Sequence, residues 1–271
     1  MRVAYLMNGV IGGIKGKSYE NYNESSIKSN ILKFTSRTHS FLQQEDIEID
    51  YFILSWQPEL EEIYIQQYNP IKIKSIPIRT FEVPEHYKDV EDNPRIQAHY
   101  SRWYGALEVS KMCKEYSLEH NINYDLLINA RLDLCFTRKI NLHNFDPSKF
   151  HIAKPINLPH YNWPKNNEMI DHIFISNPEY MFKFMELFSS INEYTSPGQC
   201  PHWRMISSHF LSVWHLKKLE LLEHNIITDT SLKVINDNYD PWADVDYYIF
   251  RYRGITEKEL ENGNLLTPPY K

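Results

Sequence analysis

Three polar residues at alternate positions, Asn129, Arg131 and Asp133, follow the apolar run Leu126-Leu127-Ile128. The run has the length and composition of a strand buried on both faces. Alternation puts the three polar side chains on one side of an extended backbone. Open α/β sheets bind ligands beyond the C-terminal ends of their strands, and a strand that turns polar at that end suits such a place. Arg131 could grip a phosphate with two parallel hydrogen bonds. Asp133 could hold a divalent cation that bridges phosphates. The competing reading is a salt bridge between Arg131 and Asp133 with no ligand at all.

A second stretch invites phosphate chemistry. Gly12-Gly13-Ile14-Lys15-Gly16-Lys17-Ser18 follows an apolar first segment. A phosphate loop needs four residues between its glycines and must open directly onto a helix. Here three residues separate Gly12 from Gly16, and the polar run Tyr19 to Glu24 follows without an apolar stripe. The expected role is a loop beside the ligand site, with Lys15 or Lys17 reaching a diphosphate. The competing reading is a solvated surface loop.

The chain that must position these residues has 271 positions, enough for one large domain with its own core. Hydrophobic residues at 42% and charged residues at 24% describe an ordinary folded protein. A net charge of -6 argues against broad nucleic-acid binding, which needs a basic face. Cys113, Cys135 and Cys200 are widely spaced and odd in number, so neither a disulfide framework nor a metal spacing follows. A reducing, cytoplasmic setting is the simplest expectation. No apolar run approaches a membrane span, and Met1-Arg2 leads straight into Val3–Met7, too short for a signal peptide. Nothing in the sequence sets an oligomeric state.

Patterning places the strands and helices. Strands are predicted over 2–9, 49–56, 71–78, 150–153 and 172–176, besides the one that ends at Arg131. Helices are predicted over 25–44, 58–68, 94–119, 177–189 and 202–216. In the long third helix Ile96, Tyr100, Trp103 and Leu107 share one face. From Leu219 the pattern reads as β-like, in 219–224, 231–236 and 246–253, and the polar stretch 256–271 reads as a tail. Strands and helices alternate in the first half, which predicts βαβ units: a central, mostly parallel sheet with helices on both faces.

Four stretches together resemble glycosyltransferases of the GT-A fold, most of all bacterial and viral members associated with surface polysaccharides. They are the first strand ending at Asn8-Gly9, the strand IDYFILSW (49–56), the helix-to-strand segment from Arg95 to Phe136, and the strand–helix unit from Met169 to Phe188. The resemblance implies a single GT-A-like, Rossmann-related domain over 1–255 and a C-terminal tail over 256–271. It implies transfer of a sugar from a nucleotide-diphosphate sugar donor to a glycan or small-molecule acceptor. The family's metal motif is Asp-x-Asp, and Arg131-Leu132-Asp133 keeps only its second acid. Asp133 would then bind Mn²⁺ or Mg²⁺, or Arg131 would neutralise the diphosphate and make the metal dispensable. Asn8, Gly9, Lys17, Arg102, Arg131 and Asp133 are the expected donor-binding residues. Asp171 is the expected general base, with His172 as the alternative, since the base takes a proton from the acceptor hydroxyl. His209, two turns from His202, is a second candidate metal ligand. Tyr161, Trp163 and Trp242 fall in predicted loops, where aromatic faces could stack on sugars. A rival reading keeps the fold and the ligand but drops catalysis; a phosphate-loop transferase is a third.

Overall fold

The computed structural model describes residues 1–11, 24–87, 93–155, 169–200, 207–222, 224, 226–235 and 246–249. In chain order the elements are β1 (Arg2–Gly9), α1 (Glu24–His39), β2 (Glu48–Ser55), α2 (Glu61–Tyr68), β3 (Lys72–Ser75), α3 (Asn93–His120), β4 (Leu126–Arg131) and β5 (Leu134–Phe136). Then follow β6 (Phe150–Pro155), β7 (Ile173–Ser176), α4 (Pro178–Met185), α5 (Leu187–Tyr194), α6 (Ser208–Lys218), β8 (Ile227–Ile235) and β9 (Tyr247–Ile249). The strands form one sheet in the order β3-β2-β1-β4-β7-β6-β8-β9-β5. β3, β2, β1 and β4 run parallel, whereas β7 is antiparallel to both its neighbours. β8 is parallel to β6 and to β9. The fold is therefore α/β with a mixed, mostly parallel sheet.

Period-two alternation sorts the strands onto two cores. Val3, Tyr5 and Met7 of β1 pack with Ile31 and Leu32 of α1 and Tyr64 and Tyr68 of α2. Ala4 and Leu6 face the other way, onto Trp103, Ala106 and Val109 of α3 and Phe184 of α4. Helices thus cover both faces. No helix among the described residues is long and apolar enough to cross a membrane.

Several local expectations are corrected. The helix predicted over 177–189 is two helices broken at Glu186, the first capped by Asn177, whose side chain accepts from the Tyr180 N–H at 2.9 Å. The stretch from Leu219 is turn, not strand: Glu220 has φ of 61°, a left-handed stop that ends α6, and Leu221 folds back into the α3-side core. The first helix stops at His39 and closes in a 3₁₀ turn over Ser40–Leu42. The last predicted helix is described from Ser208, with Ser207 as its cap, while 202–206 lie outside the described residues.

The order of strands also fixes a curvature. β4 and β5 are joined only by Leu132 and Asp133, yet they are five neighbour spacings apart in the sheet. Laid flat, those strands would be roughly 24 Å apart. Three Cα steps span at most about 11 Å. The half of the sheet running from β4 to β5 must therefore roll back on itself, with the Arg131–Asp133 elbow bridging the two ends.

Candidate functional site

Strand order reverses at β1: β2 and β3 lie on one side of it and β4 on the other. Such a switch point opens a crevice beyond the C-terminal ends of the two central strands. Asn8 and Arg131 face each other there as register partners. Because β7 is antiparallel, its N-terminal start comes to the same edge, with Ala130 opposite Ile173. Asp171 and His172, just before that start, are thereby carried to the C-terminal ends of β1 and β4.

The long helix α3 adds the central cation. Arg102 is 8% exposed and donates from Nη1 to Asn8 Oδ1 at 2.6 Å and from Nη2 to Asn129 Oδ1 at 3.0 Å. Nη2 also donates to the Asp171 carbonyl at 3.1 Å, and Nε lies 3.8 Å from Asp171 Oδ2. Asn129 is itself fixed by donating to the Leu6 carbonyl at 3.1 Å. Close approach of α3 to β1 needs Gly105: a Cβ there would meet Asn8 Oδ1 at 3.2 Å. On the other strand end, Arg131 clasps Asp133 with both prongs, Nε to Oδ1 at 2.8 Å and Nη2 to Oδ2 at 2.6 Å. The salt bridge read as an alternative from the sequence is thus present. His209 Nδ1 sits 2.7 Å from the Met169 carbonyl and 4.0 Å from Asp171 Oδ1.

Charge in this crevice is dense and balanced between Arg102, Arg131, Asp133 and Asp171. Burial drives the Arg102 pKa down to about 10, with Asp171 opposing the shift and Arg131 adding to it. Burial would raise the Asp171 pKa, but His209, Arg102, Arg131 and His172 outweigh it and hold the carboxyl well below its usual range. Asp171 is therefore ionised at any physiological pH.

The structure brings Asn8, Arg102, Arg131, Asp133, Asp171, His172 and His209 to one edge of the sheet. Gly9 ends β1 with φ of 131°, a conformation that favours glycine. Lys15, Lys17, Tyr161, Trp163, His202 and Trp242 lie outside the described residues. Both Asp133 carboxylate oxygens are bonded to Arg131, so a divalent cation on Asp133 would share the carboxylate with the guanidinium or bind as Arg131 turns to a ligand. His209 Nδ1 faces the Met169 carbonyl and Asp171. Among the described residues no group of three or more His, Cys, Asp or Glu is placed to share an ion. Sequence reasoning passed over Gln57, whose amide accepts from the Ile11 N–H at 2.6 Å and donates to the Ile11 carbonyl at 3.1 Å. That clasp anchors the chain where it leaves β1.

Neither protein-family models nor curated proteins give a match to this chain.

Proposed function

We propose that the chain is a glycosyltransferase that moves a sugar from a nucleotide-diphosphate sugar to a glycan or small acceptor. The observation that carries this reading is the pairing of a buried, fixed Arg102 with a half-exposed Arg131 at the switch point, beside the ionised Asp171. An incoming diphosphate offers Arg131 the same two-pronged geometry as Asp133 does and competes for it. Arg102, held by Asn8, Asn129 and Asp171, supplies positive charge behind the leaving group without moving. In the transfer, an acceptor hydroxyl oxygen bonds to the sugar's anomeric carbon, the bond to the diphosphate breaks, and the hydroxyl proton passes to the Asp171 carboxylate or to His172. In this mode the two guanidinium groups meet the charge of the diphosphate; in the alternative mode Mn²⁺ or Mg²⁺ on Asp133 would share it once Arg131 turns to the diphosphate.

A second reading keeps ligand binding and drops turnover. It is favoured by the cations around Asp171, which make that carboxylate a weak base. A thermal-shift screen against UDP-, GDP-, CMP- and TDP-sugars, each with Mn²⁺ and with chelator, tests binding. A ligand at 100 times its Kd stabilises by about 2.7 kcal/mol. No shift with any of them would remove both readings. A shift without hydrolysis or transfer of the sugar would leave the second.

A further inference from the structure

On the sheet face away from Arg102, β1, β2, α1 and α2 enclose a nest of polar aromatic rings. Tyr5 meets His39 at 5.4 Å and Tyr51 at 5.7 Å between ring centroids, and Tyr68 meets His39 at 5.4 Å and Tyr64 at 6.5 Å. Tyr5 and Tyr64 are fully enclosed, and His39 and Tyr68 nearly so. The hydroxyls of Tyr5, Tyr64 and Tyr68 and Nδ1 of His39 have no hydrogen-bond partner among the described protein groups. Ser55 acts on Tyr64 and Thr35 on Tyr68, but neither reaches hydrogen-bond geometry. Folded proteins leave few buried polar atoms unpaired, so four in one contiguous nest call for a ligand.

The hydrogen-bonding demand of the nest identifies that ligand. His39 Nε2 lies 3.2 Å from the Leu134 carbonyl, which can only accept, so the proton sits on Nε2 and Nδ1 offers a lone pair. Three hydroxyls can each donate and accept. The rings themselves bring no formal charge: burial lowers the His39 pKa to about 4, against a smaller opposing effect of its Leu134 contact, and burial raises all three tyrosines. A neutral molecule that both donates and accepts matches the nest; an ion does not. We propose that the nest binds ordered water, as a cluster joining the hydroxyls of Tyr5, Tyr64 and Tyr68 to Nδ1 of His39. Leu132 and Leu134, on either side of Asp133, belong to the same core as Tyr5, Tyr64 and Tyr68.

The sign of a hydroxyl deletion tests this, using the full chain and no assumption about activity. In a hydrated nest Tyr5→Phe, Tyr64→Phe and Tyr68→Phe each strip the water of a partner and lower Tm by roughly 2–4 °C. The Tyr64→Phe/Tyr68→Phe double variant then loses less than the sum of the singles, because both act on shared water. In a dry nest each substitution removes an orphaned polar atom, and Tm stays level or rises; that result overturns the proposal. Water ¹⁷O relaxation dispersion supplies an independent readout. The native protein should show long-lived internal water that diminishes in the double variant, and an equal signal in both proteins would also overturn it.

Discussion

Arg131 and Asp133 form a closed pair, and each can be removed separately. Arg131→Ala leaves the Asp133 carboxylate, 5% exposed, without its two-pronged partner. It should cost about 1–3 kcal/mol of stability and weaken nucleotide binding as well. Arg131→Lys should restore stability better than affinity, since a point charge replaces a paired one but not a planar fork. Asp133→Ala should leave nucleotide affinity equal or higher, because it releases Arg131 to the ligand. Titration of UDP and GDP against the three variants, with Mn²⁺ and with chelator, checks this. A loss of affinity in Asp133→Ala that appears only with Mn²⁺ would instead place the cation on Asp133. Asp171→Asn should abolish turnover while nucleotide binding persists. It also strips buried Arg102 of its nearest carboxylate, so a stability loss of roughly 3 kcal/mol accompanies it. Full turnover in that variant would move the base to His172.

At the scale of elements, α3 against β1 is the contact that makes the crevice. An alanine at position 105 would gain roughly 1 kcal/mol in helix propensity. Its methyl would press on Asn8, which cannot give because it is fully buried and held by Arg102 at 2.6 Å. Gly105→Ala is therefore expected to lower both stability and nucleotide affinity, read by urea midpoint and titration; a net gain in both would show that Asn8 has room to move. Most strands and the long helix were legible in the sequence because their apolar residues recur at one period over many positions, whereas the three-residue β5 is too short to show one. Also legible were Arg102, Arg131, Asp133 and Asp171, which stand out as charges at the end of a strand, before another, or on an apolar helix. Asn129 was seen as part of the alternation but not as a partner of Arg102. Gln57 and Gly105 act through neighbours brought close by the fold, and nothing local marks them. The misread strand at Leu219 failed for a related reason: its leucines follow a core that the turn at Glu220 reaches from another direction.

Across the whole molecule, two buried histidines make the fold acid-labile. Burial lowers His39 and His215 to about 4, each against a smaller opposing effect of a backbone contact. The unfolded chain takes up protons near pH 6.5, while the folded chain does not until about 4. Between those values the unfolded state binds more protons, so stability falls as pH drops and is fully present above 6.5. The loss should approach about 3 kcal/mol per histidine at most. Urea midpoints at pH 7.5, 6 and 5 should decline in that order, and a flat series would refute neutral burial of both rings. Below about pH 4, protonation of Asp171 in the unfolded chain adds to the same trend.

The rolled half of the sheet sets how the chain must assemble. Its closing contacts join residues far apart: Arg138 bonds Asp246, 108 positions away, and Asp246 also accepts from the Lys233 N–H at 2.6 Å. The Thr137 N–H reaches the Asp246 carbonyl at 2.9 Å. Closing a loop of that length costs on the order of 4 kcal/mol in chain entropy before its contacts are gained. Pairing of β5 with β9 should therefore follow the pairing of β1 with β2, whose partners lie much closer in sequence. Asp246→Ala is expected to speed unfolding several-fold and to leave the folding rate nearly unchanged, as stopped-flow kinetics would show. Equal effects on both rates would mean that closure comes early. With closure late, the Arg131–Asp133 elbow, which bridges the two ends of the roll, is the last part of the crevice to acquire its shape and the first to lose it.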